Sequence, residues 1–369
     1  MTATSRATAS DVRVGLVGYG PAGAAFHAPL VATTPGMHLA AVVTRDPTRR
    51  AQLLAAHPGV RAVEAAEELW SSPDGIDLVV VASPNRTHLP VALAALAAGL
   101  PVVVDKPLAA SLADARQLHE AARARGLLLT VFQNRRWDGD FLTVRRLLAE
   151  DALGDVHRFE SRFERWRPTP KPGWRESADA GDAGGLLFDL GSHLIDQALV
   201  LFGPVAHVYA ELDRRRPGVQ VDDDAFVALT HRSGVRSHLW MSVVAAQHGP
   251  RLRVLGSRAA YTKFGLDGQE NALRAGGRPD APDWGEEPGD HWGTLDAGEG
   301  GGRPVRTEAG AYPRFYAGVV AALRGAAPPP VAVADAIAGL EIIEAAQRAA
   351  VEGRTIPIAP QRSDVIPER

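Results

Sequence analysis

The first third of the chain alternates short apolar runs with segments of helical character. The strand-like runs are 12–17, 39–44, 76–82, 101–105 and 127–132. The helical segments between them are 22–32, 47–57, 89–98 and 112–125. Alternation of this kind is typical of βαβ units around a parallel sheet. The pattern predicts a doubly wound parallel sheet with right-handed crossovers, which is a Rossmann domain over 12–133.

The rhythm changes at Asn134. A helix is predicted at 141–150, and an alternating strand at 156–166 places Phe159, Ser161 and Phe163 on one side. Further strand-like runs follow at 206–212, 225–231, 236–244 and 252–264. The turns between them are short, which favours antiparallel pairing. We therefore predict a second α+β domain over 134–369, with an open and mostly antiparallel sheet that binds substrate and forms oligomers.

Three segments complete the organisation of the chain. Residues 1–11 are small and polar without the apolar core of a signal peptide, and we expect a disordered leader. Residues 275–304 are rich in Gly, Pro and Asp and are predicted to be a structureless loop, either a lid or disordered. Two helices, at 312–324 and 333–352, are predicted to close the chain.

Composition narrows the possible functions. A length of 369 residues fits two domains, and an apolar share of 46% is ordinary for a soluble protein. The absence of cysteine excludes disulfides, thiolate metal sites and cysteine nucleophiles. A net charge of −3 gives no electrostatic case for nucleic acid, and no apolar run is long enough for a membrane span. We expect a cytoplasmic protein with a small-molecule substrate.

The first strand leads into three glycines. Gly18, Gly20 and Gly23 have the G-x-G-x-x-G spacing, and a helix follows them. In a dinucleotide site such glycines permit a tight turn, close approach of a pyrophosphate, and close packing of helix on strand. The helix N-terminus favours the anion. The predicted cofactor contacts here are Gly18, Tyr19, Gly20, Pro21 and Ala22; the alternative is a Gly-rich turn that binds nothing.

The end of the second strand bears on cofactor choice. NAD sites commonly have an acidic residue there, whereas this strand ends in Thr44 and Arg45. A hydroxyl and a guanidinium suit a 2′-phosphate, and Arg49 and Arg50 add charge nearby. We therefore predict NADP rather than NAD. The alternative is that Asp46 accepts a hydrogen bond from the ribose 2′-hydroxyl.

The third and fourth strands also end in polar residues at the edge where ligands bind in such sheets. The third is followed by Ser83, Pro84, Asn85 and His88, which are candidates for cofactor contact or for a turn and helix cap. The fourth ends in Asp105 and Lys106. Lysine occurs at only three positions of this chain, so Lys106 is a candidate donor to a reacting oxygen; the alternative is a surface lysine.

In the second domain the segment 184–196 is the strongest candidate. On a helix Asp189, His193 and Asp196 share one face. The leucines at 187, 190, 194 and 201 share another, which suits a core. A carboxylate one turn from a histidine fixes its tautomer, so His193 is a candidate general base. The alternative is a structural pair, and no third ligand is spaced for a metal.

Four residues near the domain boundary are candidates for substrate or cofactor contact. Asn134 is predicted to contact the cofactor, while Arg136, Trp137 and Trp174 suit the hydroxyls and C–H groups of a polyol. Each could equally be a surface feature. The run Asp222–Asp224 is interpreted as a solvated turn.

Taken together, these motifs resemble the Gfo/Idh/MocA family of oxidoreductases over nearly the whole chain. Within that family the likeness is closest to NADP-dependent scyllo-inositol dehydrogenases. It rests on residues 18–23, 26–29, 134–141, 174–176, 189–193 and 265–275. The family's Glu-Lys-Pro is here Asp105-Lys106-Pro107.

The resemblance implies that Lys106, Asp189 and His193 form the catalytic trio, with hydride transfer to NADP from a ring CH–OH of an inositol or a related substrate. It also implies a second domain whose sheet mediates dimers or tetramers. Rival interpretations are the same chemistry on another sugar, sugar acid or ketone, and a nucleotide-sensing regulator without catalysis.

Overall fold

The structure is a computed structural model that describes residues 11–71, 75–170, 173–298 and 300–360. Residues 1–10 of the predicted leader lie outside the described residues. Sequence and structure agree on a parallel sheet followed by a mostly antiparallel one.

The first sheet has six parallel strands in the order β3-β2-β1-β4-β5-β6, the doubly wound order with its switch point between β1 and β4. The strands are β1 (Val12–Val17), β2 (Met37–Val43), β3 (Arg61–Val63), β4 (Leu78–Val81), β5 (Val102–Asp105) and β6 (Leu129–Phe132). Every residue of β4 and β6 is buried, because helices cover both faces. The predicted Rossmann sheet is confirmed, and the short β3 is the strand that the apolar pattern did not mark.

Five helices accompany this sheet in the part of the chain that the structure describes. They are α1 (Ala28–Thr33), α2 (Pro47–Ala56), α3 (Glu67–Trp70), α4 (His88–Ala97) and α5 (Leu112–Arg125). A π-helical turn, Gly23–His27, immediately precedes α1. Helix α5 shows how the ends are set: the Ser111 hydroxyl accepts from the Asp114 N–H at the start, and Gly126 closes the end with a φ of +62°.

The second sheet has nine strands in the order β14-β13-β12-β11-β7-β10-β9-β8-β15, and all neighbours are antiparallel except β7 and β10. The strands are β7 (Val156–Glu164), β8 (Val205–Asp213), β9 (Asp224–His231), β10 (Arg236–Ser242), β11 (Leu252–Gly256), β12 (Ala260–Lys263), β13 (Gly293–Asp296), β14 (Arg303–Val305) and β15 (Ile356–Pro357). Along β9 buried and half-buried positions alternate, as expected for a sheet covered on one face.

The helices of this half are α6 (Gly139–Ala149), α7 (Ser192–Phe202), α8 (Gln269–Arg274), α9 (Pro313–Leu323) and α10 (Val333–Glu352). Helix α7 packs against α10, and α10 packs against β8. The segment Ala180–Phe202 is long and apolar enough to cross a membrane by composition, but 78% of its most apolar window is buried inside the protein.

Two predictions for this half were wrong. The run 252–264 is not one strand: β11 and β12 pair with each other as a hairpin around residues 257–259. The segment 275–304 is not structureless over the residues described. It contributes β13, which pairs with β12, and the start of β14 at the sheet edge. Pairing with distant strands orders this segment, and local composition carries no signal of that.

Candidate active site

The glycine loop lies at the carboxyl end of β1. Gly18 has a φ of +100°, and a Cβ there would lie 2.8 Å from the Ala82 carbonyl oxygen. A Cβ on Gly23 would lie 2.0 Å from the Gly18 oxygen, so this glycine allows the helical segment to touch the loop. At Gly20 the nearest atom to such a Cβ is Arg49 Nη1, 3.9 Å away. The space beside Gly20 is therefore open, which fits a pyrophosphate at the helix start.

A cleft of about 200 Å³ opens beside this loop. It is lined by eleven of the residues predicted to contact cofactor or substrate, namely Gly18, Gly20, Pro21, Ala22, Ser83, Pro84, Asn85, Asp105, Lys106, Trp174 and Asp189. The lining also contains Arg49, which the sequence already suggested for the 2′-phosphate, and the structure adds Ala82, Pro107, Ala183 and Phe188. Among these, Phe188 stands next to Asp189 in the sequence motif, but nothing in the local pattern distinguishes a lining phenylalanine from a core one.

Arg49 brings a guanidinium to the cleft beside the glycine loop, where its Nε lies 3.7 Å from Asp46 Oδ2. Asp46 caps α2, where its Oδ1 accepts from the N–H groups of Thr48 and Arg49 at 2.9 and 3.1 Å. The Arg45 Nε donates to the Glu64 carbonyl oxygen at 3.0 Å, and Thr44 is buried. Neither Thr44 nor Arg45 lines the cleft, whereas Arg49 does. The Asp46 carboxylate thus caps its own helix, while the Arg49 guanidinium reaches the cleft.

The opposite wall joins the two halves of the chain. Asn85 Nδ2 donates to the Asp182 carbonyl oxygen at 2.9 Å, and Arg86 makes a bidentate pair with the Asp182 carboxylate at 2.5 and 2.6 Å. These bonds hold the segment that contains Ala183 against the turn after β4. Trp174 lines the same cleft.

His88 lies behind that wall rather than in the cleft. Its Nδ1 is 2.8 Å from the Pro107 carbonyl oxygen, and its Nε2 is 3.0 Å from the Ser83 carbonyl oxygen. Burial lowers the pKa of His88, while Asp105 and the two carbonyl oxygens oppose that shift. Both nitrogens face backbone carbonyls at the ends of β4 and β5, and the predicted cofactor contact of His88 stays a prediction.

Lys106 connects the first domain to the segment before α7. Its Nζ donates to the Asp189 carbonyl oxygen at 2.5 Å and to Asp189 Oδ1 at 3.0 Å. The Asp105 Oδ1 accepts from the Lys106 N–H at 2.9 Å and lies 3.7 Å from His27 Nε2. Although burial opposes it, the charges of His27 and Lys106 lower the pKa of Asp105. The structure thus brings Lys106 and Asp189 together.

His193 is the second residue of α7 and is 5% exposed. Its Nδ1 is buried without a hydrogen-bond partner among the described residues. Burial lowers the pKa of His193 well below the ordinary value of 6.5, and the charges of Lys106, Arg135, Arg251 and Arg165 lower it further. The ring is therefore a neutral base at pH 7 in a positively charged setting.

The helix that carries these residues differs from the uniform α-helix that the spacing predicts. Leu187–Gly191 forms a π-helical turn before α7. The backbone leading from Asp189 to His193 is therefore wound more widely than an α-helix. The third residue of the predicted face, Asp196, does not join them. Its carboxylate is bound by Arg136 at 2.7 and 2.8 Å, and Arg136 also pairs with Asp335 at 2.9 Å.

Arg136, Trp137 and Asn134 consequently lie outside the cleft lining. The guanidinium of Arg136 is held between two carboxylates, and the Trp137 ring packs edge-on to Phe315 with centroids 5.8 Å apart. Asn134 is buried at the start of the turn after β6. The pairs of Arg136 and the ring contact of Trp137 are with distant parts of the chain, which local sequence does not reveal. The ligand contacts predicted for these three residues stay predictions.

The run Asp222–Asp224 is not the solvated turn that we predicted. Asp223 is fully buried and accepts from the N–H groups of Arg215 and Arg216 at 2.6 and 3.0 Å, and from Arg216 Nε at 2.8 Å. Asp222 Oδ2 accepts from the Leu187 N–H at 2.7 Å, at the start of the π-helical turn. Burial raises the pKa of Asp222 to about 6. These acids support the segment that carries Asp189. No group of three His, Asp or Glu side chains suited to a metal occurs in the described part of the chain.

Comparison with known proteins agrees with this geometry. Residues 12–133 match the model of the oxidoreductase family with an NAD-binding Rossmann fold, and residues 141–262 match the GFO/IDH/MocA C-terminal domain. The chain is therefore an oxidoreductase built on a dinucleotide-binding domain. It belongs to the Gfo/Idh/MocA family.

Three similar proteins cover almost the whole chain. The uncharacterized oxidoreductase YdgJ of Escherichia coli is 43% identical over 352 residues, which is 95% of this chain and 99% of that protein. The scyllo-inositol 2-dehydrogenase (NADP(+)) IolW of Bacillus subtilis is 34% identical over 354 residues, 95% of this chain and 97% of that protein. The structure of the oxidoreductase yvaA from Bacillus subtilis superposes with a TM-score of 0.90 at 33% identity, covering 96% and 100%.

Proposed function

We propose that this enzyme transfers a hydride between NADP and a ring CH–OH of a polyol or sugar, and that it interconverts scyllo-inositol and its 2-keto form. The observation that carries the hydride-transfer proposal is the meeting of Lys106 and Asp189 from separate domains, one helical turn from the neutral base His193. The similarity to an NADP-dependent scyllo-inositol dehydrogenase supports the substrate. The alternative is the same chemistry on another sugar, sugar acid or small ketone.

NADP is proposed over NAD because of the charges around the ribose end. The carboxylate that would accept from a 2′-hydroxyl, Asp46, caps its own helix. Arg49 lines the cleft, and Arg45 lies at the end of the neighbouring strand. A guanidinium can bind a 2′-phosphate through two parallel hydrogen bonds.

The protein's own groups then have distinct tasks. When bound, NADP supplies or accepts the hydride. His193 takes the proton of the substrate hydroxyl during oxidation and returns it during reduction. The Lys106 ammonium donates a hydrogen bond to the same substrate oxygen and stabilises negative charge that develops there. Asp189 holds Lys106 in place through two hydrogen bonds, and we propose that it also orients His193 during the reaction.

Assembly through the second sheet stays part of the proposal. On the sheet face opposite the helices, Phe226 and Trp240 pack with ring centroids 5.1 Å apart, and Arg162 lies 3.9 Å above the Trp240 ring. Half-exposed aromatic side chains on a broad sheet suit an isologous contact. Light scattering on the purified protein tests it, and a monomer at micromolar concentration would contradict it.

The cofactor and substrate proposals are tested together by steady-state kinetics. Oxidation of scyllo-inositol is followed through the absorbance of the reduced nicotinamide, with NADP and then NAD. We expect NADP to be preferred, and Arg49→Gln to raise the KM for NADP about tenfold while the KM for NAD changes little. The exposed Arg123→Gln is the matched control. A preference for NAD in the wild type would reject the cofactor proposal, and absence of turnover with any inositol would reject the substrate.

A further inference from the structure

Among the described residues, the guanidinium of Arg165 near α7 has no acidic partner within ion-pair distance. Arg165 follows β7, where its N–H donates to the Ser242 carbonyl oxygen at 2.8 Å and its own carbonyl accepts from the Ala245 N–H at 3.1 Å. These bonds extend the sheet pairing past the end of β7. Side chains alternate along a strand, so Arg165 points to the same face as Phe163 and Ser161, the face that α7 covers.

The ring of Phe163 is surrounded by three guanidinium groups. Those of Arg165 and Arg135 each lie 4.7 Å from the ring centroid, and that of Arg251 lies at 5.8 Å. Arg135 pairs with Glu270 at 2.6 Å, and Arg251 pairs with Asp140 at 3.4 Å. Within residues 11–360 as described, the guanidinium of Arg165 makes neither an ion pair nor a hydrogen bond.

Two carboxylates, Glu270 and Asp189, stabilise the charge of Arg165, and each of them is already paired with another cation. Glu270 is held by Arg135 at 2.6 Å and by Arg274 at 3.0 Å. Asp189 is held by Lys106 at 3.0 Å. His193, on which Arg165 also acts, is neutral near pH 7 because burial and the surrounding cations lower its pKa. Among the described residues Arg165 therefore has no carboxylate of its own within ion-pair distance, although Glu270 and Asp189 stabilise its charge from farther away.

We propose that Arg165 binds an anionic oxygen group, a carboxylate or a phosphate ester, so that the enzyme also takes acidic sugar or polyol derivatives and favours them over their neutral counterparts. This inference rests on the proposed hydride transfer and adds an acidic substrate class to the neutral polyol proposed above. The planar guanidinium matches both anions through paired hydrogen bonds. Stacking on Phe163 holds its plane fixed, and a partly buried charge interacts more strongly than one in bulk water.

Matched substrate pairs test the assignment. The kcat/KM values of D-galacturonate and D-galactose, of D-glucose 6-phosphate and D-glucose, and of scyllo-inositol are compared in wild type, Arg165→Gln and Arg165→Lys. Binding of the same compounds to the NADPH-saturated enzyme is measured by calorimetry, so that a compound without turnover still gives a result. Arg158→Gln, an exposed charge loss on the opposite face of β7, is the control.

We expect one acidic compound to exceed its neutral counterpart by about 10- to 100-fold in kcat/KM or in affinity. The galacturonate and glucose 6-phosphate arms distinguish carboxylate from phosphate. Arg165→Gln should remove this preference, Arg165→Lys should keep part of it, and Arg158→Gln should leave it intact. Equal or better use of neutral compounds by the wild type, or a preference unchanged in Arg165→Gln, overturns the inference. The hydride-transfer proposal would still stand if neutral compounds were turned over, and it fails separately if no compound is turned over with either cofactor.

Discussion

Replacing Asp196 tests whether the face shared by the helical acids is catalytic or structural. Asp196 lies one turn beyond His193, but the structure uses it to bind Arg136, with side chains only 5% and 11% exposed. Asp196→Ala would leave the Arg136 guanidinium buried with only the more exposed Asp335 as partner. Removing one member of a buried pair costs about 3–5 kcal/mol, and the remaining carboxylate places our expectation near the lower end, at about 3 kcal/mol.

The two residues also form a double-mutant cycle. Burial raises the pKa of Asp196 in spite of the adjacent guanidinium. The attraction between the two charges therefore offsets only part of the cost of removing the carboxylate from water. Replacing both partners, Arg136→Met with Asp196→Leu, should therefore cost clearly less than the sum of the single changes. The cofactor affinity of the folded variants should stay close to that of the wild type.

Urea unfolding followed by tryptophan fluorescence measures these changes in the free energy of unfolding. Glu120→Ala, which removes an exposed pair with Arg123, is the control and should leave the midpoint unchanged. A loss below about 1 kcal/mol for Asp196→Ala would refute the structural role that we assign. A selective rise in the KM for the polyol at unchanged stability would return Arg136 to the substrate site.

Two further predictions concern the glycine loop and the base. Gly23→Ala should destabilise the fold and abolish NADPH binding, since its Cβ would lie 2.0 Å from the Gly18 oxygen. Gly20→Ala should melt like the wild type yet bind NADPH at least about tenfold more weakly, because its methyl group projects only into the open space for phosphate; equal melting losses, or normal NADPH titration of Gly20→Ala, would contradict this. For His193, a lowered pKa means that the neutral base persists as the pH falls, so the acid limb of kcat/KM for oxidation should lie below pH 6.5. A limb at or above that value would show that another group, or an unperturbed histidine, is titrating.

Local sequence was sufficient where local rules decide the structure. The apolar strand, the glycine spacing and the following helix predicted the nucleotide loop, and the polar ends of β4 and β5 predicted most of the cleft. These features depend on short-range geometry: a strand must be buried, a turn must allow positive φ, and parallel strands end at one edge. The scarcity of lysine pointed to Lys106 for a reason independent of fold.

The sequence alone could not show which distant strands and side chains pair with each other. The three residues of β3 are too few to show periodicity, and β13 is ordered by pairing with β12. Asp223 is buried because Arg216 meets it, and Arg136 is held by Asp196 and Asp335. In the sequence, the charges of Asp223 and Arg136 suggested contact with solvent or ligand. In the fold, each is paired with a distant residue of opposite charge. The π-helical turn before α7 also leaves no periodic signal in five residues.

The central claim is that Lys106 and His193, contributed by different domains, act on the same substrate oxygen. Single-turnover oxidation of NADPH with saturating keto substrate measures the rate of hydride transfer in wild type, Lys106→Met and His193→Gln. NADPH affinity is titrated in parallel. We predict that each variant binds NADPH within a few-fold of the wild type while its rate of hydride transfer falls by about 10²- to 10⁴-fold. A rate within about tenfold of the wild type in either variant would contradict the account and remove that residue from the reaction.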